Sequence, residues 1–228
     1  MRILSFLLIL CCCLACNNTA QNPTPTTNPK TKVTTETTAN PATSQKKKTI
    51  IFFGDSLTAA YKLKPEEGFT HLIQQRIDSL GMDYKVVNAG NSGETTAGGV
   101  GRINWVLKQP IDVFVLELGG NDALRGIDPE TTYNNLSEIA QRVRSKYPQA
   151  KLVIAGMEAP PNLGKAFTDA FRGVFQRIAK ENQASLIPFL LENVGGIPEL
   201  NLPDGIHPTP KGHQIVAENI WTVLKDVL

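Results

Sequence analysis

Apolar residues gather in five short runs along the chain: Thr49–Phe53, Tyr84–Asn88, Asp112–Leu118, Leu152–Met157 and Leu186–Phe189. These runs are rich in Val and Ile, the mark of strands covered on both faces. Between them apolar residues recur at helical spacing. Phe69, Leu72, Ile73, Ile77 and Leu80 form one stripe, Tyr133, Leu136, Ile139, Ala140 and Val143 a second, and Phe167, Ala170, Phe171, Val174, Phe175 and Ile178 a third. A last helix is expected from Pro210 to Leu228, with Thr209 as its N-cap and Pro210 at its first position. Strand and helix alternate, which predicts an α/β domain with a five-stranded parallel sheet and helices on both faces. In such sheets ligands bind at the carboxyl ends of the strands, near the point where strand order reverses.

The first part of the chain follows another pattern. Met1-Arg2 is a short basic start, Ile3 to Leu10 is apolar, and small or thiol residues lead to Cys16. This reads as a signal peptide over residues 1–16, its apolar stretch too short to span a bilayer. Residues 13–16, Cys-Leu-Ala-Cys, resemble a bacterial lipobox, which makes Cys16 the expected lipid-attachment residue; Cys13 and Leu14 depart from the usual pattern. Residues 17–46 are dominated by Thr, Asn, Pro, Ala and Gln and cannot bury enough surface to offset their ordering entropy. They read as a tether between an anchor and a domain over residues 47–228. The expected location is outside the cytoplasm, at a membrane.

Composition removes some alternatives. The formal charge is +2, and no basic stripe points to nucleic acid. All four cysteines lie at positions 11, 12, 13 and 16, so the domain has no disulfide of its own and no Cys/His metal spacing.

Four strand ends carry polar motifs: Gly54-Asp55-Ser56-Leu57, then Asn88-Ala89-Gly90-Asn91-Ser92-Gly93-Glu94-Thr95-Thr96, then Gly119-Gly120-Asn121-Asp122, and finally Asp204-Gly205-Ile206-His207-Pro208. Each alone is an ordinary turn. A serine hydroxyl is a weak nucleophile and needs an adjacent base. His207 is the leading base, and Asp204, three residues earlier, can reach Nδ1 on a tight turn and leave Nε2 facing Ser56. The motif is not Gly-x-Ser-x-Gly, so the elbow differs from that of α/β-hydrolases.

Taken together and in this order, the four motifs resemble those of the SGNH (GDSL) hydrolase superfamily, with Ser56, Gly90, Asn121 and His207 at its blocks. Within it, residues 48–228 are similar to the bacterial thioesterase I, lysophospholipase L1 and arylesterase group. The resemblance implies a flavodoxin-like three-layer α/β/α sandwich and no cofactor, metal included. It also implies three oxyanion donors: the N–H of Ser56, the N–H of Gly90 and the amide of Asn121. The expected substrate is a small ester or thioester. Leu163 and Phe167, after the fourth strand, are expected to touch its acyl chain, with 123–127 and 189–203 as further walls. Asp55 is expected to shape the loop and Glu117 to hold one by hydrogen bonds. His71, His213, Trp105 and Trp221 read as packing or helix-face residues. Two other functions fit the same motifs: a carbohydrate O-deacetylase, and an inert surface-binding lipoprotein.

Overall fold

The structure, a computed structural model, describes residues 47–228. The expected signal peptide, the expected lipid-attachment residue Cys16 and the whole of the expected tether lie outside the described residues. Five parallel strands form one sheet: β1 (Lys48–Gly54), β2 (Tyr84–Gly90), β3 (Val113–Glu117), β4 (Lys151–Ala155) and β5 (Ser185–Ile187), in the order β2-β1-β3-β4-β5. Among the described residues six α-helices connect and flank them: α1 (Phe69–Ser79), α2 (Thr96–Val106), α3 (Gly120–Leu124), α4 (Pro129–Lys146), α5 (Lys165–Glu181) and α6 (Pro210–Leu224). Helices α1 and α6 pack together, and α4 packs between α2 and α5. This is the expected layered α/β architecture.

The central strands explain why the sheet forms. Ile50 to Phe53 in β1 and Val113 to Leu116 in β3 are at most 1% exposed. Burying each such side chain stabilises the fold by roughly 1.5–3 kcal/mol relative to exposure. The edge strands depart from the expected two-sided burial: most of β2 and β5 is only half-covered, because each has a neighbour on one side only. Helix ends follow local chemistry. The Thr209 hydroxyl accepts the Gly212 N–H (3.3 Å) with Pro210 in the first turn, and Asp128 caps α4 by accepting the Thr131 N–H (3.1 Å). The last helix ends at Leu224, short of the expected Leu228.

The apolar spacing held no sign of α2, whose sequence TAGGVGRINWV contains three glycines. A Cβ on Gly99 would come within 2.5 Å of Leu118 Cδ1, and one on Gly98 within 2.9 Å of Glu94 Cγ. Close packing therefore overrides the poor helix propensity of glycine. Strand order reverses between β1 and β3, since β2 lies on one side of β1 and β3 on the other. The motifs after β1, β2 and β3 therefore meet at one place.

Candidate active site

Ser56 sits two residues beyond β1, in a tight turn where the Leu57 N–H donates to Asp55 Oδ1 (3.0 Å) and the Ala59 N–H to the Asp55 carbonyl (3.0 Å). Its Oγ is 3.0 Å from His207 Nε2, and His207 Nδ1 is 3.0 Å from Asp204 Oδ2. The His207 loop is built by its own aspartate. Asp204 Oδ1 accepts the N–H groups of Ile206 (3.2 Å) and His207 (3.1 Å), and the Leu202 N–H donates to the His207 carbonyl (2.7 Å). Partial desolvation pushes the Asp204 carboxyl up, but hydrogen bonds from the His207 ring and from those two N–H groups outweigh it, and the net shift is downward. An ionised Asp204 fixes Nδ1 as the protonated nitrogen and leaves Nε2 free to take the serine proton.

Asn121 stands in the first turn of α3, just past β3, with Nδ2 donating to Asp55 Oδ2 (3.0 Å). An amide has two N–H bonds, so the second remains for a ligand. Its neighbour Asp122 turns away and accepts the N–H (2.8 Å) and hydroxyl (2.5 Å) of Thr96, fixing the start of α2. The Gly-Gly-Asn-Asp motif thus serves the site with one residue and a helix with the next.

The expectation that Gly90 offers its N–H to an oxyanion is not met. That N–H donates to Asn88 Oδ1 (2.9 Å), and Gly90 takes no part in lining the cavity at Ser56. A Cβ there would lie 2.4 Å from the backbone nitrogen of Ala59, so glycine is required by packing. The glycine of this loop that lines the cavity is Gly93, three residues on, at φ +79°. Arg102 fixes this loop from below. It pairs with Glu94 (2.5 Å), donates to the Ala89 carbonyl (3.0 Å) and lies 4.2 Å from the centre of the Phe53 ring. Arg125 donates to the Gly93 carbonyl (3.0 Å).

Two buried carboxyls lie behind the serine. Burial pushes Asp55 up to about 6, against hydrogen bonds from the Leu57 N–H and Asn121 that pull it down. Glu117, at the end of β3, accepts the Thr58 hydroxyl (2.6 Å) and the Asp55 N–H (3.2 Å) through Oε2, while Oε1 is buried without a partner. Burial and then the Asp55 charge push its pKa well up. It holds the serine loop by hydrogen bonds, as expected.

A cavity of about 620 Å³ opens beside Ser56, His207 and Asn121, with apolar walls that include Leu57, Leu124, Met157, Phe189, Leu191 and Ile206. The three loops expected as walls all contribute, but Leu163 and Phe167 do not reach the cavity. Leu163 packs on the core from a short 3-10 turn, and Phe167 stacks on Phe171 (6.2 Å between rings) from α5. Their loop meets the cavity earlier, through Met157 and Ala159 to Pro161. His213 is a packing residue: buried, it accepts the Phe69 N–H through Nδ1 (3.3 Å). Trp105 is 67% exposed on α2, and Trp221 lies under the Arg76 guanidinium (5.3 Å).

A nucleophile, an imidazole and a carboxylate in series, at the carboxyl edge of a parallel sheet and beside an apolar cavity, have the geometry of a serine hydrolase. Comparison with known proteins agrees. The chain belongs to the GDSL-like lipase/acylhydrolase family, which matches residues 52–215. It is 40% identical to the esterase TesA of Pseudomonas aeruginosa over 181 residues, 79% of this chain and 89% of that one. It is 35% identical to an arylesterase of Vibrio mimicus over 78% of this chain and 88% of that one. It is 34% identical to thioesterase 1/protease 1/lysophospholipase L1 of Escherichia coli over 75% and 80%. The crystal structure of TesA superimposes with a TM-score of 0.76, covering 79% of this chain and all of that one. A psychrotrophic esterase EstA from Pseudoalteromonas, inhibited by monoethylphosphonate, is 30% identical with a TM-score of 0.73, over 78% and 97%.

Proposed function

We propose that this hydrolase is a serine esterase acting on short to medium acyl esters, with aryl esters, thioesters and lysophospholipids as the substrate classes. The observation that carries this reading is the unbroken series Ser56–His207–Asp204, at 3.0 Å in each step, on the floor of an apolar cavity. Ser56 Oγ attacks the acyl carbonyl while its proton passes to His207 Nε2. The imidazolium, held by Asp204, then protonates the leaving alcohol or thiol. Water attacks the acyl-enzyme with His207 again as base, and acid and free Ser56 are released. The oxyanion donors are the N–H of Ser56, the N–H of Gly93 and the Asn121 amide. Gly93 replaces Gly90 in this role because the Gly90 N–H is already given to Asn88. Each such donor contributes about 2.7–4 kcal/mol to lowering the barrier.

The test is hydrolysis of p-nitrophenyl esters across acyl lengths by the wild type and Ser56→Ala. Serine-dependent turnover is expected on acetate through medium chains, with at least a thousandfold loss in Ser56→Ala. Full activity in that variant would sink the mechanism. Activity on acetyl groups alone would favour the O-deacetylase, and none on any ester the inert binding protein. We also propose that the chain is exported and held at a membrane by a lipid on Cys16. Cys16→Ser should then move it from the membrane to the soluble fraction, and persistent membrane association would refute the anchor.

A further inference from the structure

The backbone on either side of Tyr61 is strained. Ala60 has φ 54° and Lys62 φ 60°, left-handed values that cost a non-glycine residue roughly 1–2 kcal/mol each. Strain of this kind persists where the surroundings force it, and it gathers at functional sites. Here the residue it brackets touches both partners of the catalytic hydrogen bond. The Tyr61 N–H donates to the Ser56 carbonyl (3.0 Å), and the Tyr61 ring lies against the His207 imidazole, with 4.5 Å between centroids and 39° between planes. Tyr61 and His207 also share the wall of the cavity. The turn that carries the ring is fixed by the Ala60 N–H to the Leu57 carbonyl (3.3 Å) and the Leu63 N–H to the Ala60 carbonyl (3.0 Å).

We infer that Tyr61 is a positioning residue for the base: its ring holds the His207 imidazole in line with Ser56 and stabilises the imidazolium that forms during acyl transfer. The inference rests on the esterase reading above. His207 comes from a loop 151 residues away, and its own turn restrains only Nδ1, through Asp204. A ring swing about that bond would carry Nε2 off the serine. A flat aromatic face at 4.5 Å blocks the swing on one side. The same face presents its negative π-cloud to a ring that becomes cationic in the transition state and is neutral before it. That contact is stronger in the transition state than in the ground state, so its loss falls on kcat. Lys62 also places its ammonium 5.0 Å from the Tyr61 ring centre, but Lys62 is exposed and its charge is screened by water. The face, and not the hydroxyl, carries the effect.

The experiment measures kcat and KM for wild type, Tyr61→Phe, Tyr61→Leu and Ser56→Ala on a short alkyl acetate, which has no aryl group to rest on residue 61. Melting temperatures and labelling by an ethyl-phosphonate reagent are measured in parallel. Tyr61→Phe is expected to stay within about twofold of wild type. Tyr61→Leu is expected to lose roughly tenfold in kcat, the change produced by about 1.4 kcal/mol of barrier, with KM moved less than about twofold and slower labelling. A Tyr61→Phe variant as impaired as Tyr61→Leu would overturn the inference, because the hydroxyl would then be responsible. So would a Tyr61→Leu variant that raises KM at unchanged kcat, or one that is folded and fully active. If Tyr61→Leu fails to fold, Tyr61→Met is measured against the same outcomes. Wild-type activity that survives Ser56→Ala would instead remove the esterase reading itself.

Discussion

Two aspartates flank the nucleophile, and the chain puts them in opposite surroundings. Asp204 lies on an outer loop with its side chain 29% exposed, while Asp55 is 2% exposed beneath Ser56. Hydrogen bonds drive the first below the usual carboxylate range, and burial drives the second up to about 6. The difference separates their work. In the proposed mechanism Asp204 faces a group that becomes positive, which calls for a charged carboxylate, and water nearby keeps the cost of that charge low. Asp55 accepts from two donors, the Leu57 N–H and the Asn121 amide, and its work is to hold those two in place. One carboxylate supports the chemistry and the other supports the geometry around it.

Removing the charge on each side tests that division. Asp204→Asn should have the larger effect on turnover. An amide at this position can offer His207 Nδ1–H the wrong partner and leaves the imidazolium without its counter-charge. A loss of about a hundredfold to ten-thousandfold in kcat is expected. Asp55→Asn should cost less, about tenfold to a hundredfold. The position must accept from both Leu57 and Asn121, and an amide oxygen replaces only one of the two carboxylate acceptors. Asn121 is then free to swing, which weakens one oxyanion donor. Steady-state kinetics on one p-nitrophenyl ester decide the order. A larger loss in Asp55→Asn than in Asp204→Asn would reverse the roles assigned here.

The same contrast shows which parts of the molecule the residue pattern could reveal. The β1 run Ile50–Phe53 is apolar throughout because both its faces are covered, so its strand and the serine beyond it were legible. Asp204 and His207 were legible because a three-residue spacing on a turn is local geometry. Gly90 and Gly93 were not separable by such reasoning. Both stand in one polar loop, and what distinguishes them is that Asn88 already occupies the N–H of Gly90. Helix α2 was hidden because its glycines answer to Leu118 and Glu94, whose positions only the fold supplies. Leu163 and Phe167 were misplaced for a related reason. Apolar character alone does not say whether a residue faces a cavity or the core, and theirs faces the core. Glu117 could be read as a loop holder, but the upward push on its pKa follows only from its burial beside Asp55.

The buried side of the comparison also makes a smaller prediction, about stability. Asp55 has an ordinary carboxylate pKa near 3.9 in the unfolded chain and about 6 in the folded one. Between those values the folded protein holds more protons than the unfolded chain. Stability therefore falls as pH rises through that window, and the loss levels off about one pH unit above the folded value. The side-chain amide of Asp55→Asn carries no such proton. The substitution also removes the negative charge that pushes Glu117 further up, so the neighbouring carboxyl is relieved in the same direction. The lost hydrogen bond lowers the stability of Asp55→Asn at every pH, a constant offset of about 1–3 kcal/mol. The difference in melting temperature, variant minus wild type, should therefore rise by a few degrees between pH 5 and pH 8. Parallel thermal melts in that range measure it. A difference that stays flat would mean that Asp55 is not held protonated by its burial, and one that falls with pH would mean that its charge stabilises the fold.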